Sequence, residues 1–314
     1  MALRDYLTTE VAEDWIDGLI PRREALRRLA LLGLSVSAAS AVLAACEAAS
    51  SPTPSAAASA ADTPSGPPSA APSGSATTDA SPTPSMVPIE GEAITFDGPR
   101  GDLQGFFVAA PSPRGAMVVI HENRGLTDHI RSVAGRLAAD GYSSLAIDLL
   151  SEEGGTAALG DPANVQAALG NASDERLIED MRAGIDELER RVPRARIGII
   201  GFCFGGGIVW NLLDAGEPRL AAAIPFYGPA PSSPDFGGNE AAVLGVYAQA
   251  DSRVNNSREI AAAALDAAGL TNQINTYPGV DHAFFNDTGA RYNAEQAAAA
   301  YRDVLAWLGE HLSS

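Results

Sequence analysis

A mostly parallel, twisted β-sheet with helices on both faces is the fold class this sequence predicts over residues 91–314. Three observations carry it. Apolar runs of strand length alternate with stretches of helical periodicity, the pattern of successive βα units. The runs at 116–120 and 242–248 are apolar without alternation, as strands covered on both faces require, and 144–149 reads as another buried strand. Third, Arg196-Ile197-Gly198-Ile199-Ile200 leads straight into Gly201-Phe202-Cys203-Phe204-Gly205, a strand feeding a tight, glycine-bracketed turn.

Taken in order, 93–97 and 104–109 read as an antiparallel hairpin around Gly98-Pro99-Arg100-Gly101. A strand at 116–120 is followed by a helix at 130–139, stopped at Gly141, and by a strand at 144–149. Residues 151–170 are glycine-rich, read as irregular, and are candidates to cover a site. Ser173 is a candidate N-cap for a charged amphipathic helix reaching Arg191, with Pro193 beyond its end. After the strand and turn at 196–205 come a helix from 206 to 213 and strands at 220–227, 242–248 and 273–277. Helices at 257–269 and 294–311 complete the domain. Residues 297–308 suit packing on the sheet, so a monomer is expected.

The preceding residues have another character. Pro21-Arg22-Arg23-Glu24-Ala25-Leu26-Arg27-Arg28 precedes an uncharged stretch at 29–45 that ends in Leu43-Ala44-Ala45-Cys46. A twin-arginine n-region before a moderately apolar segment resembles an export signal, and its end resembles a bacterial lipobox. The resemblance implies cleavage before Cys46, lipidation of that thiol, and a protein held outside the cytoplasmic membrane. An uncleaved membrane anchor is the alternative, near the short limit for a span. Residues 47–90 are mostly Ser, Pro, Ala, Thr and Gly and read as a disordered tether. The organisation expected is therefore an export signal at 1–46, a linker at 47–90 and one folded domain at 91–314.

Composition removes several function classes. Acidic residues outnumber basic ones 39 to 21, for a net charge of -18, so the field repels nucleic acid. All basic residues are arginine, which excludes a Schiff-base or P-loop lysine. The cysteines are Cys46 and Cys203; no CxxC pair or HExxH helix occurs, and His121 and Glu122 would point to opposite faces of a strand. Neither metal nor organic cofactor is called for.

A strand ending in G-x-nucleophile-x-G before a helix is the nucleophile elbow of the α/β-hydrolase architecture, here carrying a thiol. A lone G-x-C-x-G is equally compatible with a buried structural cysteine. Two later stretches favour the functional reading. The architecture places an acid and then a histidine on loops after later strands. Asp251 follows the strand at 242–248, and His282 follows the strand that ends at Tyr277. Asp281 is the rival acid, but adjacent side chains rarely meet in the needed geometry. A thiol, an imidazole and an orienting carboxylate together make a nucleophile at neutral pH. The main-chain N–H groups of Phe204 and Asn123 are the candidate oxyanion hole.

His121-Glu122-Asn123-Arg124-Gly125, Gly201-Phe202-Cys203-Phe204-Gly205-Gly206 and His282-Ala283-Phe284-Phe285-Asn286 together resemble the dienelactone hydrolase family over about 92–312. The resemblance implies a Cys203-His282-Asp251 triad that hydrolyses a small ester or lactone through a thioester. It also implies that Glu122 lies near the thiol and takes part in activating it when substrate binds; pairing with Arg124 is the structural alternative. The family's type enzyme holds its substrate carboxylate with arginines, one of them four residues past the histidine, where this chain has Asn286. Arg124 is the nearest candidate for an anionic group and Arg176 a weaker one, while Tyr227 and Phe284 are candidate apolar walls. A noncatalytic ligand-binding lipoprotein on the same scaffold is the second reading.

Overall fold

The computed structural model describes residues 3–50 and 91–312. Its centre is an eight-stranded sheet in the order β1-β2-β4-β3-β5-β6-β7-β8. The strands are β1 (Glu92–Gly98), β2 (Gly101–Val108), β3 (Gly115–Ile120), β4 (Tyr142–Asp148), β5 (Ile197–Phe202), β6 (Leu220–Phe226), β7 (Ala242–Ala248) and β8 (Asn272–Tyr277). β1 and β2 form the expected hairpin, pairing from Glu92 with Phe107 to Gly98 with Gly101. β2 joins β4 antiparallel, and every later pairing is parallel.

β3 to β7 are buried along their whole length, which explains the apolar sequences of β3, β5, β6 and β7; β4 also buries Ser143, Ser144 and Asp148. β8 is an edge strand, and its Asn272, Gln273, Asn275 and Thr276 suit a surface paired on one side only. The parallel order sends the C-terminal ends of β3, β5, β7 and β8 to one rim, where ligand sites of open α/β sheets form.

The domain helices are α4 (Asp128–Ala139), α5 (Thr156–Leu159), α6 (Pro162–Asn171), α7 (Asp174–Arg191), α8 (Phe204–Asp214), α9 (Ser252–Asn255), α10 (Arg258–Ala267) and α11 (Ala294–His311). Ser173 caps α7 as expected, its hydroxyl accepting from the Arg176 N–H at 3.2 Å. The stretch at 151–170 is more regular than its glycines suggested. Asp161 accepts from the Ala163 N–H at 2.9 Å and Pro162 occupies the first turn, so together they start α6.

Residues 3–50 fold as α1 (Leu3–Ile16), α2 (Arg22–Leu31) and α3 (Val36–Ser50), with α1 in contact with α2, α3, α6 and α8. The uncharged stretch at 29–45 is split between α2 and α3 by a turn in which Gly33 has φ +86°. Tyr6, Leu7, Val11, Leu29, Leu32 and Leu43 are buried in the same hydrophobic core as the sheet. At Gly170 on α6 a side chain would collide with Leu32 and meet Leu7, so that glycine lets α1 and α2 seat closely. Arg27 pairs with Asp161 at 2.6 Å across this contact. The segment that resembles an export signal is therefore packed on the domain. Of the linker at 47–90, residues 51–90 lie outside the described residues; Glu47 to Ser50 continue α3. Among the described residues no helix is long and apolar enough to cross a membrane.

Candidate active site

β5 ends at Phe202 and α8 begins at Phe204, leaving Cys203 alone to make the reversal. Its φ of 58° and ψ of -118° lie where L-residues rarely sit, the strained conformation of a nucleophile elbow. The flanking glycines are steric necessities. A Cβ at Gly201 would stand 2.2 Å from the Gly205 carbonyl oxygen, and one at Gly205 would stand 2.6 Å from the carbonyls of Ile120 and His121. Phe204 heads α8, so its N–H has no intrahelical acceptor.

Asp251 and His282 come together from the loops after β7 and β8. The Asp251 carboxylate accepts the Val254 N–H at 3.1 Å through Oδ1 and the His282 Nδ1–H at 2.6 Å through Oδ2. Asp281 is exposed and accepts only the neighbouring His282 main-chain N–H, at 2.7 Å. Geometry thus separates the two candidate acids. With Nδ1 committed to Asp251, Nε2 is the ring nitrogen turned toward Cys203.

The loop after β3 is fixed by His121. Its Nδ1–H donates to the Glu122 carbonyl at 2.7 Å, and its Nε2 accepts the Leu149 N–H at 3.2 Å. Burial lowers its pKa, and a neutral ring is the form that can donate and accept at once. This use of His121 was missed from sequence, where it was weighed only as a metal ligand. The loop brings buried Glu122 and Asn123 to the wall of a cavity of about 180 Å³ that also touches Cys203 and His282. Glu122 Oε2 accepts from the Asn286 side-chain amide at 2.6 Å, while Oε1 has no hydrogen-bond partner.

Arg124 lines this cavity, as does Arg291, which sequence reasoning did not single out. Tyr227 and Phe284 do not line it. Tyr227 sits edge-on to the His282 ring at 5.1 Å, and Phe284 packs between Tyr227 and Tyr277 in the buried aromatic cluster. The expectation that these rings wall the cavity is corrected: the strand-end aromatics were taken up by the core. Arg176 is bound through both terminal nitrogens to Glu153.

α1 also enters the site. The Tyr6 hydroxyl lies 3.1 Å from Cys203 Sγ and 3.4 Å from His282 Nε2. Glu10 lies 3.6 Å from His282 Nε2 and 2.6 Å from the Arg253 guanidinium, which also stacks over the Tyr6 ring at 4.7 Å. Glu10, Cys203 and His282 bring one ligand atom each within 4.8 Å of one another. Since Arg253 already neutralises Glu10, the trio reads as a charge network rather than a metal centre.

Burial pushes the Cys203 thiol pKa up, and the nearby Glu10 charge pushes it further; the adjoining imidazole offsets only part. For His282, burial favours the neutral ring, but Glu10, Cys203 and Asp251 outweigh it and hold the pKa well above the usual value.

Residues 103–312 match the dienelactone hydrolase family. The chain belongs to that family. A curated relative from Escherichia coli K12, named "putative carboxymethylenebutenolidase", is 30% identical over 229 residues, covering 68% of this chain and 84% of the relative. One of the same name from Saccharolobus solfataricus is 27% identical, covering 68% and 96%. Among solved structures, a "putative dienelactone hydrolase" from Klebsiella pneumoniae superposes with a TM-score of 0.62 at 27% identity, covering 70% of this chain and 98% of that one. This chain is thus a dienelactone hydrolase-like hydrolase of the ester- and lactone-cleaving type, with small molecules as the substrate class.

Proposed function

We propose that this dienelactone hydrolase family member cleaves small esters or lactones with Cys203 as nucleophile, His282 as proton carrier and Asp251 as the carboxylate that orients the ring. The observation that carries the reading is the conjunction of the strained Cys203 turn with the 2.6 Å His282–Asp251 bond on the same rim. The Cys203 thiol gives its proton to His282, and the thiolate attacks the acyl carbon, forming a C–S bond while negative charge gathers on the carbonyl oxygen. The N–H groups of Phe204 and Asn123 take up that charge. As the C–O bond breaks, the imidazolium returns a proton to the leaving oxygen; in a lactone, that oxygen stays attached through the ring chain. Water deprotonated by His282 then attacks the thioester, the C–S bond breaks, and the acid leaves.

Glu122 is assigned to assist thiol ionisation when substrate enters. Its support is its place on the wall of the cavity that touches Cys203, with its Oε1 without a hydrogen bond among the described residues. Arg124 is assigned to meet an anionic substrate group. Hydrolysis of p-nitrophenyl acetate, compared with Cys203→Ala and followed by intact mass, tests the reading. Turnover in the parent with an acyl adduct, both absent from the variant, is expected. Equal rates would remove the thiol mechanism, and a parent that binds short esters without turnover would favour a ligand-binding role.

The export reading is carried forward as a proposal on Arg22, Arg23 and the Leu43–Cys46 run, with the protein held on the outer side of the cytoplasmic membrane. Fatty-acid labelling of the cell-made protein, lost in Cys46→Ser, is the expected result; labelling that survives the substitution overturns it.

A further inference from the structure

α1 is an addition to the family domain, because the matched residues begin at 103. It nevertheless occupies the reacting centre. A thiolate must approach an acyl carbon at about 3–3.5 Å with its path clear. The Tyr6 oxygen stands 3.1 Å from Sγ, on the side where the imidazole must take over the proton. Both ring nitrogens of His282 face carboxylates, Asp251 at 2.6 Å and Glu10 at 3.6 Å, and a ring so placed retains its second proton and has no lone pair to offer. The helix is fastened by charge. Arg253, buried with Glu10, pairs with Glu10 at 2.6 Å and Glu13 at 3.2 Å; Arg291 pairs with Asp17 at 2.5 Å and Asp14 at 3.5 Å.

Resting on Cys203 as the nucleophile, we propose that α1 is an inhibitory helix in cis. Its Tyr6 hydroxyl stands against both Sγ and His282 Nε2, so acyl transfer, including the turnover expected of the parent, falls to the fraction of chains in which α1 has lifted; Arg253 and Arg291 form the surface that recognises its acidic face. Relief comes when α1 lifts off, or when the leader is removed by the cleavage before Cys46 that the export reading implies; either bares Arg253 and the cavity-lining Arg291. The three leader helices lie outside the matched family domain.

The test uses the full chain and two independent variants. Glu10→Arg sets a cation against Arg253, and Tyr6→Ala empties the blocked space. The first readout is the rate of Cys203 alkylation by iodoacetamide, read from the mass of its own peptide so that Cys46 does not contribute; the second is p-nitrophenyl acetate hydrolysis. Circular dichroism confirms folding. Alkylation about tenfold faster or more is expected in both variants, since breaking a buried ion pair is strongly unfavourable to the docked state, with hydrolysis rising in parallel. Faster alkylation with no ester turnover in any form upholds the inhibitory helix and removes the hydrolase reading for this ester. Unchanged alkylation in both folded variants overturns the proposal. So does faster alkylation accompanied by a fall in kcat for Tyr6→Ala, which would make Tyr6 a contributor to the reaction.

Discussion

The Asn286 amide donates to Glu122 Oε2 at 2.6 Å, joining the loop after β8 to the loop after β3 across the cavity. By the sequence resemblance to the dienelactone hydrolase family, an arginine for a substrate carboxylate would be expected at this position. Here the residue instead holds one of the enzyme's own carboxylates. A hydrogen bond to a charged group is worth about 1.5–3 kcal/mol. Asn286→Leu is therefore expected to lower kcat for p-nitrophenyl acetate by about tenfold or more, with a smaller change in KM. An unchanged kcat would show that the position of Glu122 does not matter to the rate.

His121→Ala should harm stability and activity together. The substitution leaves the Leu149 N–H without its acceptor and frees the Glu122 carbonyl. Burying one unsatisfied polar group costs about 1–3 kcal/mol. Denaturant unfolding should show a lower midpoint at unchanged slope, and kcat should fall through displacement of Glu122 and Asn123. Full activity at reduced stability would separate the loop from the chemistry.

The sheet and the elbow were legible because their signals are local. Ile197–Phe202 is apolar throughout, and the glycines at 201 and 205 stand where backbone leaves no room for Cβ. The order of Cys203, Asp251 and His282 reflects sheet topology, so it could be read without coordinates. The seat of α1 could not be. It depends on Glu10 meeting Arg253 and Asp17 meeting Arg291, pairs far apart in the chain with no periodic trace. The start of α6 was readable in Asp161-Pro162 and was obscured by the glycines around it. Tyr227 and Phe284 were placed at the correct strand ends, but an aromatic side chain there can turn toward the core as readily as toward the cavity.

Gly205→Ala probes the turn itself. The new methyl would lie 2.6 Å from two main-chain oxygens of β3 and its following loop, which cannot move without shifting the loop that carries Glu122 and Asn123. Overpacking against backbone should lower stability by about 2–4 kcal/mol and abolish ester turnover. A variant of normal stability and activity would mean that the contact between β3 and α8 relaxes freely.

Docking of α1 should weaken as pH rises, and the sign follows from three groups. Burial raises Glu13 to about 7 despite Arg253, with Glu10, Asp251 and His282 as its other charged neighbours. For an acid raised on docking, the docked state is favoured most below the free value near 4.5 and loses that advantage as pH climbs toward 7. Burial opposes the charge on His282, but Glu10, Cys203 and Asp251 raise its pKa; Cys203 and Asp251 remain when α1 lifts, so only the Glu10 part is linked to docking, and it too favours the docked state at low pH and fades as pH rises. Glu10 acts oppositely. Burial is outweighed by Arg253 and His282 and its pKa falls to about 2, so its contribution is present above about 4.5 and fades only in strong acid. Between pH 6 and 8.5 Glu13 passes through its docked value of about 7, while Glu10 stays ionised. Hydrogen exchange of residues 3–16, corrected for the intrinsic pH dependence, should show less protection at pH 8.5 than at pH 6. Glu13→Gln should reduce the difference by removing one of its two sources. Equal protection at both pH values would mean that neither group is coupled to docking.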